Sequence, residues 1–120
     1  MQQYQMGAIE SKFADIIWQG EPISSAELAK RAEKLLGWKK STSYTVLKRL
    51  CNKGIFENRD GVVCSKISRE EFYSVQSEKF VEETFCGSLP AFLAAFTARK
   101  PLNREEVELL RQLIDNYKEE

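Results

Sequence analysis

A mainly α fold carrying one small β-hairpin is what this chain predicts, and three observations lead there. Apolar residues recur at helical spacing from Ile9 to Cys51 and again from Phe72 to Tyr117. Between those stretches the period drops to two around an Asp60-Gly61 dipeptide, the signature of a hairpin turn. Capping signatures at Ser24, Ser68 and Asn103 mark where three helices begin. With 120 residues the chain makes one domain, or a small domain with an appendage, and a core of that size is marginal alone.

Met1 to Met6 reads as a polar, frayed start. Ile9, Phe13, Ile16 and Ile17 then form the apolar stripe of a first helix ending near Trp18, stopped by Gly20 and Pro22, with Trp18 assigned to the core. Ser24-Ser25-Ala26-Glu27 is a capping box that opens a second helix, whose stripe is Leu28, Ala32, Leu35 and Leu36 and whose end is Gly37. Trp38 stands at the short corner before a third helix, introduced by the hydroxyl cluster Ser41, Thr42 and Ser43. Gly54 closes that helix. Ile55 to Asn58 and Val62 to Ile67 are the hairpin strands, joined through Arg59-Asp60-Gly61.

Three helices followed by a hairpin is the winged helix-turn-helix order, with the third helix in the recognition position and the hairpin as the wing. The expected organisation is a winged-helix domain over residues 1–70 and a helical dimerisation domain over 71–120. In the latter, Ser68-Arg69-Glu70-Glu71 opens a long helix through Phe72, Val75, Phe80, Val81 and Phe85, and Gly87-Ser88-Leu89-Pro90 breaks it. An apolar segment with Leu89, Phe92, Leu93 and Phe96 follows and stops at Pro101. Asn103 with Glu106, and a Leu102 to Val107 hydrophobic staple, start a last helix bearing Val107, Leu110, Leu113, Ile114 and Tyr117. Three short helices cannot bury that many large apolar groups among themselves, so a two-fold dimer is expected through Phe80, Phe85, Leu89, Phe92, Leu93, Phe96, Leu110, Leu113, Ile114 and Tyr117.

The stretch Lys39 to Lys53 carries the chemistry. At about 100° per residue it sets Ser43, Leu47, Leu50 and Cys51 on one face and Ser41, Thr42, Thr45, Lys48, Arg49, Asn52 and Lys53 on the other. The polar face has hydroxyls, an amide and cations but no acid, the groups that bind phosphates and base edges. The chain's net charge is zero, from 18 basic and 18 acidic residues, yet residues 38–66 hold Lys39, Lys40, Lys48, Arg49, Lys53, Arg59 and Lys66 against only Glu57 and Asp60. A local +5 is a phosphate footprint, and Arg59 stands at the wing tip.

Other chemistry finds no support. Histidine is absent, there is no phosphate-binding glycine loop, and no nucleophile has a base near it, so an enzyme is not expected. Cys51, Cys64 and Cys86 are odd in number and widely spaced, which suggests neither a disulfide framework nor a metal site, and Cys51 on the apolar face reads as a buried structural thiol. No cofactor is implied. Three thiols, no signal peptide and no long apolar run give the expectation of a cytoplasmic protein that does not bind membranes directly.

The segment WKKSTSYTVLKRLCNKGIF, Trp38 to Phe56, resembles the recognition-helix signature of the BlaI/MecI/CopY (penicillinase repressor) family of bacterial repressors. The positions that carry the likeness are Trp38, Thr42, Thr45, Val46, Arg49, Leu50, Lys53 and Gly54, and FADIIWQGEPIS, GSLPAFLAAF and LNREEVELLRQLI are similar to the family pattern elsewhere. The resemblance implies that Ser41, Thr42, Tyr44 and Thr45 approach bases and phosphates in a major groove, flanked by Lys39, Lys40, Lys48, Arg49 and Lys53, with Arg49 partly structural. It implies a homodimer that blocks transcription from an inverted-repeat promoter operator. It also implies a membrane-bound sensor protease as partner, with Ala95-Phe96 in the place where β-lactam repressors are cut. Departures from the family stand out: the paired Cys-x-Cys motifs of the copper-responsive branch are missing, the hairpin is about three residues shorter than in the β-lactam repressors and lacks their aromatic-rich second strand, and Tyr44 stands where those repressors often place a cation. The competing expectation is a winged-helix module that docks its basic face on an acidic protein without reading DNA sequence.

Overall fold

The computed structural model describes residues 6–119, so of the frayed start expected over Met1 to Met6 all but Met6 lies outside the described residues. Met6 itself is half-buried against the core. The described residues fall into two compact units, the first reaching to Glu78 and the second beginning at Lys79.

In the first unit, helices α1 (Ala8–Gly20), α2 (Ser25–Leu36) and α3 (Lys40–Asn52) precede strands β2 (Phe56–Arg59) and β3 (Val62–Ser65). The hairpin is joined by a third strand that the sequence reading did not contain, β1 (Ile23–Ser24), which pairs antiparallel with β3 and gives the order β1-β3-β2. Two residues are too few to show alternation, so nothing in the sequence distinguished β1 from the α1–α2 linker. The β2–β3 turn has Asp60 at φ +51° and Gly61 at φ +85°, the two left-handed positions of a type I′ turn, as the Asp-Gly pair predicts. The architecture is winged-helix, mainly helical with a small antiparallel sheet.

One apolar core holds this unit together. Phe13, Ile17, Leu28, Ala32, Leu47, Leu50, Ile55, Phe56, Val63 and Phe72 are all nearly or wholly inaccessible, so three helices, the sheet and the first turn of α4 (Arg69–Phe85) share it. Trp18 closes the edge: its ring lies 5.1 Å from Phe56 and 5.6 Å from Phe72, and its indole N–H donates to the Ile67 carbonyl at 3.1 Å. Two expected core residues are instead exposed. Ile9 sits in the first turn of α1, ahead of the part of the helix that the core covers, and Leu35 lies off the Leu28, Ala32 and Leu36 line. Ala29 takes a buried place on α2 that the sequence reading had not assigned.

The caps follow the sequence with one exchange of partner. Ser24 Oγ accepts from the Glu27 N–H at 3.0 Å, but the Glu27 carboxylate pairs with Arg31 at 3.3 Å. The α3 boundary also differs: Lys39 is the N-cap residue and makes no side-chain cap, so Ser41 and Thr42 fall inside the first turn. At the other end Gly54, at φ +82°, supplies the left-handed residue expected there, and the Ile55 N–H returns to the Leu50 carbonyl at 3.3 Å.

The second unit comprises the end of α4, α5 (Leu89–Arg99) and α6 (Arg104–Asp115). Left-handed Cys86 and Gly87 break the chain after α4, Ser88 caps α5 through the Ala91 N–H at 3.1 Å, and Asn103 with Glu106 completes a reciprocal box on α6. Phe80, Phe85, Phe92 and Phe96 form a chain of ring contacts between 5.6 and 6.1 Å. Even so, no described residue of this unit is fully buried.

The Ser43 hydroxyl is the one buried side-chain polar group among the described residues without a hydrogen-bond partner. Stranding a hydroxyl in a core costs on the order of 1 kcal/mol or more. Ser43→Ala should therefore raise the unfolding free energy by about 1 kcal/mol, read from urea denaturation. A destabilised variant would mean that the hydroxyl is satisfied.

Candidate nucleic-acid interface

The core determines which side of α3 faces out. Ser43, Val46, Leu47 and Leu50 are buried, which turns Lys40, Ser41, Thr42, Thr45, Lys48, Arg49 and Asn52 to solvent. Val46 is buried although the sequence reading had assigned it to neither face, and Cys51, which that reading placed on the apolar face, is only half-buried. Two shallow hollows flank the exposed face. On one side Tyr44, Leu47, Lys48 and Cys51 meet Asn58 of the hairpin; on the other Thr42, Val46 and Arg49 meet Gly7 to Glu10 of α1 and Trp38. Ser41, Thr45 and Asn52 run along the ridge between them.

The cations divide into two groups. Lys39, Lys40 and Lys48 are exposed and make no ion pair among the described residues; Lys40 lies 6.0 Å from the centre of the half-buried Tyr44 ring. Arg49 and Lys53 are engaged by Glu10 of α1. Arg49 Nη1 lies 3.5 Å from Glu10 Oε2 and Lys53 Nζ lies 3.5 Å from Glu10 Oε1, with Lys53 half-buried. Glu10 Oε1 also accepts from the Gly7 N–H at 3.1 Å, so the first turn of α1 holds the carboxylate in place. Partial burial works to raise the Glu10 pKa, but the Gly7 hydrogen bond and the charges of Lys53 and Arg49 outweigh it, and the carboxyl sits below its ordinary 4.5. Arg59, at the end of β2, is largely exposed and lies 3.4 Å from Glu57.

Thr45 has a defined hydrogen-bonding state. Its hydroxyl donates to the Ser41 carbonyl at 2.9 Å within the helix. What it offers outward is an acceptor lone pair and a methyl group, complementary to a base amino group and to a thymine methyl.

The sequence reading missed Glu10 and Asn58 at this surface. Glu10 carried only a weak signal, three residues after a glycine that has no capping side chain, and its neighbours on α3 are about 40 positions away in sequence. Two of the thiols are not activated: burial, then Glu57, pushes the Cys51 pKa up, and burial with an Sγ to Glu57 Oε1 contact of 3.5 Å does the same for Cys64. Cys86 is exposed. Among the described residues no cluster of acids and cysteines could hold a metal ion, and no helix is long and apolar enough to cross a membrane.

Of the residues assigned to dimerisation, Phe80, Leu89, Phe96, Leu113, Ile114 and Tyr117 are exposed. Phe85, Phe92, Leu93 and Leu110 are half-buried. Leu109, which the sequence reading left out, is 58 % exposed beside them. Leu93, Phe96, Leu109 and Leu110 help to line an apolar groove between α5 and α6. Ala95 and Phe96 are both exposed within α5.

Comparisons with known proteins agree on one family. A family model described as penicillinase repressor matches residues 6–116. The penicillinase repressor of Bacillus licheniformis is 27 % identical over 118 residues, which cover 95 % of this chain and 92 % of that protein. The solution structure of the DNA-binding domain of the repressor BlaI superposes with a TM-score of 0.53 at 26 % identity, covering 59 % of this chain and 93 % of that domain.

The Glu10 clamp makes stability depend on pH in a definite direction. The carboxyl's folded pKa lies below its unfolded one, so its contribution is complete above about pH 4.5 and is lost as pH falls through the folded value. Between about pH 6 and pH 3, the urea midpoint of the wild type should fall more steeply than that of Glu10→Gln. Parallel curves would show that the two ion pairs do not contribute to folding.

Proposed function

The chain belongs to the penicillinase repressor family of transcriptional regulators, and on that premise we propose that it is a sequence-specific DNA-binding repressor working as a homodimer on an inverted-repeat operator. The observation that carries the reading is the exposed face of α3: Lys39, Lys40 and Lys48, with no ion-pair partner among the described residues, border a ridge of Ser41, Thr45 and Asn52, with no acid among them. The 13 residues of α3 span roughly 20 Å at 1.5 Å each, which suits a major groove. In this reading Lys39, Lys40 and Lys48 contact phosphates, Ser41, Thr42, Tyr44 and Thr45 face the bases and nearby phosphates, and Arg59 reaches the backbone beside the hairpin. Arg49 and Lys53 lie at the flank.

The dimer is supported by the second unit, whose roughly 40 residues bury no side chain fully; a unit that small needs help from another chain. It would pair two recognition helices across the two-fold axis of a palindromic site. Release by a sensor protease would act through the Ala95–Phe96 bond, and because that bond lies in a helix, α5 must unwind first. A fragment beginning at Phe96 in induced cells is the expected trace; full derepression with the chain intact would remove proteolysis from the reading.

Selecting duplexes from a random library with the purified chain should recover an inverted repeat whose half-sites lie about one helical turn apart. Retention only of unrelated sequences, lost on modest added salt, would favour docking on an acidic protein instead. On the recovered site, Thr45→Ala should weaken binding by about 1–3 kcal/mol and leave random DNA nearly unaffected. Lys48→Ala should weaken both alike and flatten the salt slope by about 0.9 per protomer, hence about 1.8 for the dimer. Equal losses for Thr45→Ala on both duplexes would remove its base-reading role. In sedimentation, Leu113→Glu should shift the chain from dimer toward monomer; an unchanged dimer would place the interface elsewhere.

A further inference from the structure

Within residues 38–66 the charge count is +5, from seven cations and two acids. The fold adds two acids to that patch, Glu21 beside Ser65 at the hairpin and Glu10 at the C-terminal end of α3, and only Glu10 pairs with its cations. Glu10 approaches the two cations at the C-terminal end of α3, one through each carboxylate oxygen, while the α1 backbone fixes it through Gly7. Its side chain is 16 % accessible, whereas Arg49 on the outer side of the pair is 53 % accessible. The acid is therefore held behind its partners, and the arginine faces solvent at the hollow between α1 and α3.

We propose that Glu10 is an internal competitor for DNA phosphates: it occupies Arg49 and Lys53 in the free protein and thereby lowers affinity for any duplex, whatever its sequence. This rests on the DNA-binding reading above. A cation already neutralised by a protein carboxylate releases fewer counterions when a phosphate reaches it, so Glu10 subtracts from the salt-dependent part of binding that all sequences share. The same carboxylate braces α3 against α1. A brace and a competitor predict opposite signs, because losing a brace weakens binding and losing a competitor strengthens it.

The test uses the full chain, titrated against a fluorescent random-sequence duplex and against the duplex recovered by selection, over a range of salt. Glu10→Gln keeps an oxygen acceptor for the Gly7 N–H and removes only the charge. It should bind both duplexes more tightly near 0.1 M salt, by about eightfold per bound protomer and so about sixtyfold for a dimer, with the slope of log affinity against log salt steeper by about 0.9 per protomer and the ratio between duplexes unchanged. In an Arg49→Ala, Lys53→Ala background the same substitution should give no gain. Equal or weaker binding of Glu10→Gln with an unaltered slope would overturn the proposal and leave Glu10 as a brace. A gain that persists without Arg49 and Lys53 would also overturn it, as a general effect of removing one negative charge. If the wild type binds neither duplex at any salt, the DNA-binding reading itself falls, and that is settled before the variant is measured.

Discussion

Everything the first unit presents depends on the burial of one edge of α3. Val46, Leu47 and Leu50 are locked into a core with Phe13, Ile17, Leu28 and Phe56, and a helix so anchored has no freedom to rotate about its axis. With one edge fixed, 3.6-residue periodicity determines the rest: Thr45 and Asn52 must stand outward, Tyr44 and Lys48 must lean toward the hairpin, and Thr42 and Arg49 toward α1. The buried Ser43 shows how strict the constraint is, since its hydroxyl enters the core with the rest of that edge and finds no partner. Gly54 and the Asp60-Gly61 turn serve the same end by returning the chain so that Asn58 comes up beside Tyr44 and Lys48.

The electrostatics of that face are set by a different part of the chain. Lys39, Lys40 and Lys48 have no ion-pair partner among the described residues, while the two cations one turn further along are restrained by a carboxylate from α1. A bare count of charges in sequence cannot separate these groups. Ion pairs near a surface contribute modestly to stability, so the 3.5 Å contacts of the part-buried Glu10 bear on which charges remain available as well as on how firmly the unit folds.

How far the sequence could be read follows from the range of each interaction. Helices, their caps and the hairpin turn are local, and Ser24, Gly54, Asp60, Ser68 and Asn103 act where short-range patterns place them. Burial was read less well at helix margins: Ile9 and Leu35 have helical spacing but fall outside the strip that neighbouring elements cover. The two-residue β1 and the Glu10 clamp arise from pairings across about 40 positions, and no local pattern encodes them. The same limit holds for Thr45, whose residue type suggested a base contact but whose helical hydrogen bond alone determines that its hydroxyl faces outward as an acceptor.

The second unit poses the opposite problem, strong local signals with little to bury. Each of its helices is well marked, by Ser88 and Pro90 at α5 and by the reciprocal Asn103 and Glu106 box at α6. Caps contribute about 1 kcal/mol each, however, and cannot replace a core. Leu89, Phe96, Leu109, Leu113 and Ile114 all keep about half or more of their surface in water, and covering one such side chain contributes roughly 1.5–3 kcal/mol. In the proposed homodimer that energy would be gained only on association, so folding of these helices and pairing of the recognition helices become one equilibrium. A repressor built this way would lose operator affinity steeply when the paired region is disturbed, because both half-site contacts are lost together. The winged-helix unit, with its own complete core, would survive that loss as a folded but weakly binding half.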